Sequence, residues 1–221
     1  MEILERFKQI VSDVEVPIVF EFGMCDGYHS NIMLDILSKS GNGVFIYHGF
    51  EPVQELFNNI RLSYNPAFGS VHTNNKAISS QTGVSEFYKS GGYKYDENGR
   101  VVDHYYGSSS IRTPKLVLQA WKEMTFEKRF IETISFDDYV AQMYLKGRII
   151  DFVWADIQGA EVDLINGGKE TFKNVRYFYT EYANSEYYEG EIGLKQICEM
   201  LPDFEIVEDY GGDVLLKNKN L

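Results

Sequence analysis

The chain has 221 residues, room for one α/β unit with a full core and too few for two large ones. Its 33 acidic residues outnumber 21 lysines and arginines, and a net charge of -12 repels a phosphate backbone, which argues against nucleic acid as a partner. The charged, amphipathic start is no secretory signal, no apolar run reaches bilayer length, and Cys25 and Cys198 form neither a disulfide framework nor a metal cluster, so a soluble protein of the reducing cytoplasm is expected.

Taken in order, residues 2–11 have the helical spacing Ile3, Leu4, Phe7, Ile10, Val11. Ile18–Phe22 reads as a buried strand, followed by the turn Gly23-Met24-Cys25-Asp26-Gly27 and a helix over 30–37 that Gly41 and Gly43 end. Val44–Phe50 is a second strand, closed by Glu51-Pro52 and a helix over 53–62. This βαβα start predicts a mostly parallel sheet with right-handed crossovers and helices on both faces.

Segments 70–73 and 76–78 suggest a third strand, and 83–88 an added one. Residues 90–114 hold several glycines and tyrosines, His104 and Ser108-Ser109-Ser110 without a period, the composition of an irregular lid or substrate loop. A helix over 115–124, an extended stretch at 129–134, a short helix over 136–143, a strand over 149–155 ending at Asp156 and a helix over 161–172 follow. A strand over 175–180 ending at Glu181, a helix over 191–200, and strands at 205–208 and 213–217 complete the chain. One domain, 1–221, is expected.

The glycine turn lacks the G-x-G-x-x-G of a dinucleotide fold, in which a pyrophosphate sits over a helix N-terminus, which argues against a nicotinamide-dependent oxidoreductase or epimerase. It has an acid, Glu21, then Gly23 and Gly27, the E-x-G-x-x-x-G arrangement of S-adenosylmethionine sites. Gly23 lets the backbone pass close beneath a ligand and Gly27 lets the helix start tight against the strand. Glu21 is expected near the methionine ammonium, and Glu51, at the second strand tip, to accept the ribose hydroxyls.

Acids at strand tips are the candidates for chemistry, because ligands of open α/β sheets lie beyond the carboxyl ends of the strands. Asp156 is the leading one, able to hold the methionine end, orient an acceptor hydroxyl or ligate an ion, with helix capping as its structural alternative. Glu181 and Asn184 would complete an oxygen-rich Mg²⁺ site with Asp156. His104 is the histidine to test as a base, against the alternative of a solvated loop side chain. His48 and His72 are expected to be packed in strands, His29 to line the cofactor edge, and Cys25 to pack beneath it. Tyr93, Tyr95, Tyr105, Tyr106, Tyr182, Tyr187 and Tyr188 suit the apolar faces and hydroxyl edges of a sugar, with ordinary packing as the competing account.

These residues resemble the FkbM-type methyltransferase family from Val19 to Lys217. The family's V-F-D-V-G-A-N-x-G corresponds to Val19–Gly27, its F-E-P to Phe50-Glu51-Pro52, its N-x-A-(V/I/L)-(S/G) to Asn75–Ser79, and its T-L-D-D-like element to Ile134–Asp138. Its I-D-F-L-K-I-D-V-E-G-A-E corresponds to Ile150–Glu161, with Trp154 for the lysine and Gln158 for the first glutamate. The resemblance implies a Rossmann-like class I methyltransferase fold and S-adenosylmethionine-dependent O-methylation of a sugar, a glycan or another hydroxylated natural product, with Asn75 and Ala77 placed in the cofactor region. A non-catalytic glycan- or protein-binding module on the same fold is the alternative.

Overall fold

A computed structural model describes residues 2–221. The chain opens with α1 (Ile3–Ser12), β1 (Ile18–Phe22), α2 (Tyr28–Lys39), β2 (Phe45–Phe50), α3 (Gln54–Asn59) and β3 (Gly69–Asn74). An excursion follows: β4 (Ala77–Ser79), β5 (Gly83–Gly91), β6 (Tyr93–Tyr95), β7 (Val101–His104), α4 (Val117–Ala120) and β8 (Thr125–Ser135). The chain then returns through α5 (Phe136–Gln142), β9 (Ile150–Ala155), α6 (Glu161–Gly167), β10 (Val175–Glu181), α7 (Leu194–Met200), β11 (Phe204–Asp209) and β12 (Asp213–Asn218).

Seven strands form the main sheet in the order β11-β12-β10-β9-β1-β2-β3. All its neighbours pair in parallel except β12, which runs against both β10 and β11. Every residue of β1 and β9 is buried, as expected of central strands covered on both faces. Alternation along β1 sends Ile18, Phe20 and Phe22 into a core with residues of α5, α6 and α7, and Val19 into a second core with residues of α1 and α2. The chain steps from β1 to β2 and β3 on one side, then crosses to β9 on the other. Between β1 and β9 lies the reversal of strand order at which such sheets open a ligand crevice.

The excursion departs from the sequence reading. The two pieces expected as one third strand belong to different sheets, because β3 joins the main sheet whereas β4 pairs with β8 in a three-stranded β4-β8-β5 sheet. Part of the expected irregular segment is a ribbon, β6 against β7. All four residues of β7 are exposed, so no buried face imposed an alternating pattern. The expected helix over 115–124 shrinks to the four residues of α4, since Leu118 and Trp121 face solvent and little surface is present for a longer helix to cover. No helix among the described residues is long and apolar enough to cross a membrane.

Helix α1 is anchored by Phe7, whose fully buried ring meets Phe152 edge-on at 5.0 Å. Phe7→Ala should cost about 3–5 kcal/mol of unfolding free energy, the usual loss for a buried phenylalanine. Urea titration checks this, and a loss below about 1 kcal/mol would make α1 peripheral to the core.

Candidate functional site

Backbone geometry shapes the turn after β1. Gly23 and Gly27 both have positive φ, +94° and +82°, and between them Cys25 is held at +52°, a conformation that non-glycine residues seldom adopt. A Cβ on Gly23 would run into the carbonyl oxygen of Asp156, so the residue type is dictated by space as well as by φ. The N–H groups of Gly23 and Met24 donate to the Phe50 carbonyl at 3.0 and 2.9 Å, tying the turn to the tip of β2.

Glu51 completes that tie. Its carboxylate accepts from Cys25 N at 2.8 Å and from Val53 N at 2.7 Å, while Asn75 Nδ2 donates to the Glu51 carbonyl at 2.8 Å. Across the crevice, Asp156 N donates to the Phe22 carbonyl at 3.0 Å. Gln158, also at positive φ (+55°), spends one amide nitrogen on two carboxyls, Asp156 Oδ1 at 2.7 Å and Glu181 Oε2 at 2.9 Å. Ser110 Oγ donates to the Gln158 carbonyl at 2.7 Å, which holds the serine run over this turn.

These elements enclose a cavity of about 320 Å³. Its wall includes Gly23, Cys25, Glu51, Ala77, Ser110 and Asp156, with Tyr28, His29, Lys76 and Tyr106 at other points of it. Burial raises the Glu51 carboxyl to about 7, with the neighbouring Asp156 charge pushing the same way. Burial likewise raises Glu161 to about 8 and Asp156 above the ordinary aspartate range, and lifts Glu181 well above the ordinary glutamate range. The Cys25 thiol is pushed to about 12 by burial and by Glu51 and Asp26, which leaves it protonated and a packing group.

Of the expected site residues, Gly23, Glu51, Ala77 and Asp156 share this cavity wall. Glu21 does not. Strand alternation turns it to the other face of β1, where it accepts from Ser30 Oγ at 2.7 Å and from the Tyr47 hydroxyl. Gly27 lies at the start of α2, pressed on Ile60, and Asn75 braces the backbone after β2, so neither borders the cavity. Glu181 borders a second cavity behind Gln158, together with Tyr105, Tyr182, Tyr187 and Tyr188.

His104 sits exposed on the ribbon beside Tyr93, ring centroids 4.9 Å apart, and lines neither cavity. Its position there does not suit it as the base. Asn184 is exposed and outside the wall that holds Glu181, so the oxygen set expected for a cation is not assembled; among the described residues no group of three or more histidine, cysteine or acidic side chains is placed to hold a metal. His48 is stacked between Phe20 and His72, and burial lowers it to about 3, which keeps it neutral. His29 lines the cavity with its ring 5.2 Å from Trp154. The sequence reading missed the bridging duty of Gln158, which was visible only as a departure from a family pattern.

A family model for the methyltransferase FkbM domain matches residues 21–212. The chain belongs to the FkbM methyltransferase family. It is 35% identical over 225 residues to the 2-O-methyltransferase NoeI of Sinorhizobium fredii, covering 99% of this chain and 87% of that one. A solved FkbM methyltransferase from Methylobacillus flagellatus superposes with a TM-score of 0.49 at 13% identity, over 92% of this chain, which spans 44% of that protein.

The FkbM family implies S-adenosylmethionine as methyl donor, and the residues present fit it. Gly23 lets the turn close on the Asp156 carbonyl, and the carboxyls of Glu51 and Asp156 border the same cavity, a pairing that suits a ligand carrying a sulfonium and an ammonium. Gly23→Ala should therefore abolish cofactor binding in calorimetry; retained affinity would remove the turn from the site.

The buried acids also set a pH dependence. Glu21, Glu51 and Glu161 ionise near 8, 7 and 8 in the fold against an ordinary 4.5, so the folded chain binds more protons and loses stability as pH rises through these values. His48 acts in the opposite sense, but its gain is complete above its ordinary 6.5. The melting temperature of the cofactor-free protein should fall between about pH 6.5 and 8, and less so in Glu21→Gln. A flat profile in the parent protein would show these acids ionised throughout.

Proposed function

We propose that this FkbM methyltransferase is an S-adenosylmethionine-dependent O-methyltransferase that methylates a hydroxyl of a sugar or glycan, with residues 1–221 acting as one cytoplasmic catalytic domain. The observation that carries the reading is the meeting of Glu51 and Asp156, from strand tips on opposite sides of β1, on one cavity wall above Gly23. The 2-O-methyltransferase relative supports oxygen as the acceptor atom, and the tyrosines flanking Glu181 support a sugar.

Bound adenosylmethionine supplies an electrophilic methyl group on a positive sulfur. Glu51 keeps lone pairs beyond the two backbone N–H bonds it accepts, and these serve the ribose hydroxyls. Asp156 would take the proton that the acceptor hydroxyl gives up, its carboxyl held in place by the Gln158 amide. Gln158 and Glu181 position Asp156 for that step, with the Gln158 amide fixing both carboxyls. In-line approach is a matter of positioning, supplied by the rigid turns at Gly23 and Gln158.

Incubation with labelled adenosylmethionine and a panel of sugars, glycans and small hydroxylated products tests the reading, with NAD titration as the control; binding of NAD alone would overturn it. Glu51→Gln should weaken cofactor binding about 10- to 100-fold, the equivalent of about 1.5–3 kcal/mol for hydrogen bonds to a charged group. Asp156→Asn should leave that affinity nearly intact and slow turnover about 10²- to 10⁴-fold, the usual scale for a lost general base. Turnover should persist in a chelator, because the Asp156 and Glu181 carboxyls are bridged by the Gln158 amide and Asn184 lies outside the wall that holds Glu181.

A further inference from the structure

The cavity bordered by Glu51 and Asp156 reaches solvent on one side. Among its wall residues Asp26, Tyr28, His29 and Gly107 are exposed, the first three around the start of α2 and the last in the serine run. The serine run sits over the glycine turn here, a Cβ on Gly107 lying 3.6 Å from Cys25 Sγ. His29 is close enough to Asp156 for its charge to lower that carboxyl against the rise imposed by burial, so this opening lies near the acid proposed as the base. Tyr106, next to Gly107, lines the same wall.

Tyr106 is also the first of a connected series of rings that leaves the cavity along the β6–β7 ribbon. Its ring centroid lies 5.9 Å from that of His104, His104 lies 4.9 Å from Tyr93, and Tyr93 lies 6.4 Å from Tyr95. Tyr93 and His104 are a cross-strand pair, and Tyr95, two residues on, shares their face. The alternate row holds the ribbon down. Lys94 pairs with Asp103 at 2.7 Å and stands 5.2 Å from the centre of the Tyr105 ring, which is buried with Val117, Met124 and Tyr188. The aromatic row is left open, with Tyr93 47% and Tyr95 53% exposed. Rings that are contiguous, exposed and joined to a ligand cavity form a binding surface, unlike apolar residues scattered singly.

We propose that the acceptor is an oligosaccharide, whose terminal unit enters the cavity past Tyr106 while the units behind it lie along His104, Tyr93 and Tyr95. This rests on the sugar-hydroxyl reading above and adds the size class of the acceptor and the path of its further units. A tyrosine offers an apolar ring face with a hydroxyl at its edge, which matches the apolar face and hydroxyl rim of a sugar ring. Continuity with the cavity favours one chain-like occupant, because a ligand on Tyr95 is joined to the site at Asp156 only through Tyr93, His104 and Tyr106. A free monosaccharide would fill the cavity and leave the ribbon unused.

The test takes a sugar methylated in the panel, free and as the terminal unit of a linear tetrasaccharide, and compares the parent enzyme with Tyr93→Ala, Tyr95→Ala and the two phenylalanine variants. Expected in the parent is a kcat/KM at least tenfold higher for the tetrasaccharide, carried by KM. Each alanine variant should shrink that advantage fivefold or more, and each phenylalanine variant should keep most of it. Calorimetry with the adenosylhomocysteine-loaded protein should show the same ranking in tetrasaccharide affinity. Equal kcat/KM for the two acceptors, or an advantage that survives both alanine variants, overturns the proposal. Adenosylmethionine binding without methylation of any free or chain-linked sugar would instead overturn the sugar-hydroxyl reading beneath it. Should the alanine variants misfold, amide hydrogen exchange in the parent serves, with slowing across residues 93–104 by the tetrasaccharide expected and its absence a refutation.

Discussion

The bond on which the site depends is the one Glu51 makes to the backbone of the turn after β1. A carboxylate at the tip of β2 accepting from Cys25 N fixes a loop that contains three residues at positive φ, two of them glycines. Without it, that N–H and the Val53 N–H would be buried donors lacking their acceptor, and each such loss costs about 1–3 kcal/mol. The same group that closes the turn also borders the cavity. One side chain thus both fixes the backbone after β1 and β2 and forms part of the cavity wall.

Around that bond the fold gathers acids where water is scarce. Glu51, Asp156, Glu161 and Glu181 converge near the carboxyl ends of β2, β9 and β10, and burial raises each of them, with the Asp156 charge adding to the rise of the other three. Such a cluster is costly in the empty protein and relieved by a cationic ligand, whose charge favours the ionised forms. The electrostatics thus point the same way as the family assignment, toward a donor with a positive sulfur and ammonium. The unfavourable positive φ at Cys25 and Gln158 is held by the surrounding hydrogen bonds.

Much of this was legible in the sequence, for identifiable reasons. The strands β2, β9 and β10 are short, largely apolar runs ending in acids, so the strand tips and with them Glu51 and Asp156 could be placed by counting. Glu21 was misplaced because its type matched a motif while its parity along β1 did not; a single step in a strand reverses the face. His104 drew attention as a histidine in an irregular segment, but the segment forms an exposed ribbon with nothing to bury it. Gln158 owes its meaning to long-range neighbours that no local pattern displays.

The two departures from the family pattern at β9 become intelligible together. A glutamate at position 158 would place a third carboxyl between Asp156 and Glu181, whereas the glutamine amide donates to both and holds them in one arrangement. Trp154 stands beside Glu21 in the β1–β9 pairing, where family members carry a lysine. With an indole there, tilted against Tyr179 with ring centroids 4.4 Å apart, Glu21 is satisfied by the hydroxyls of Ser30 and Tyr47. Its carboxyl is accordingly raised to about 8 by burial, a neutral group at the centre of the sheet. The far face of β1 thus carries a carboxyl held by hydroxyls, whereas Glu51 and Asp156 border the cavity, where a positive charge would favour their ionised forms.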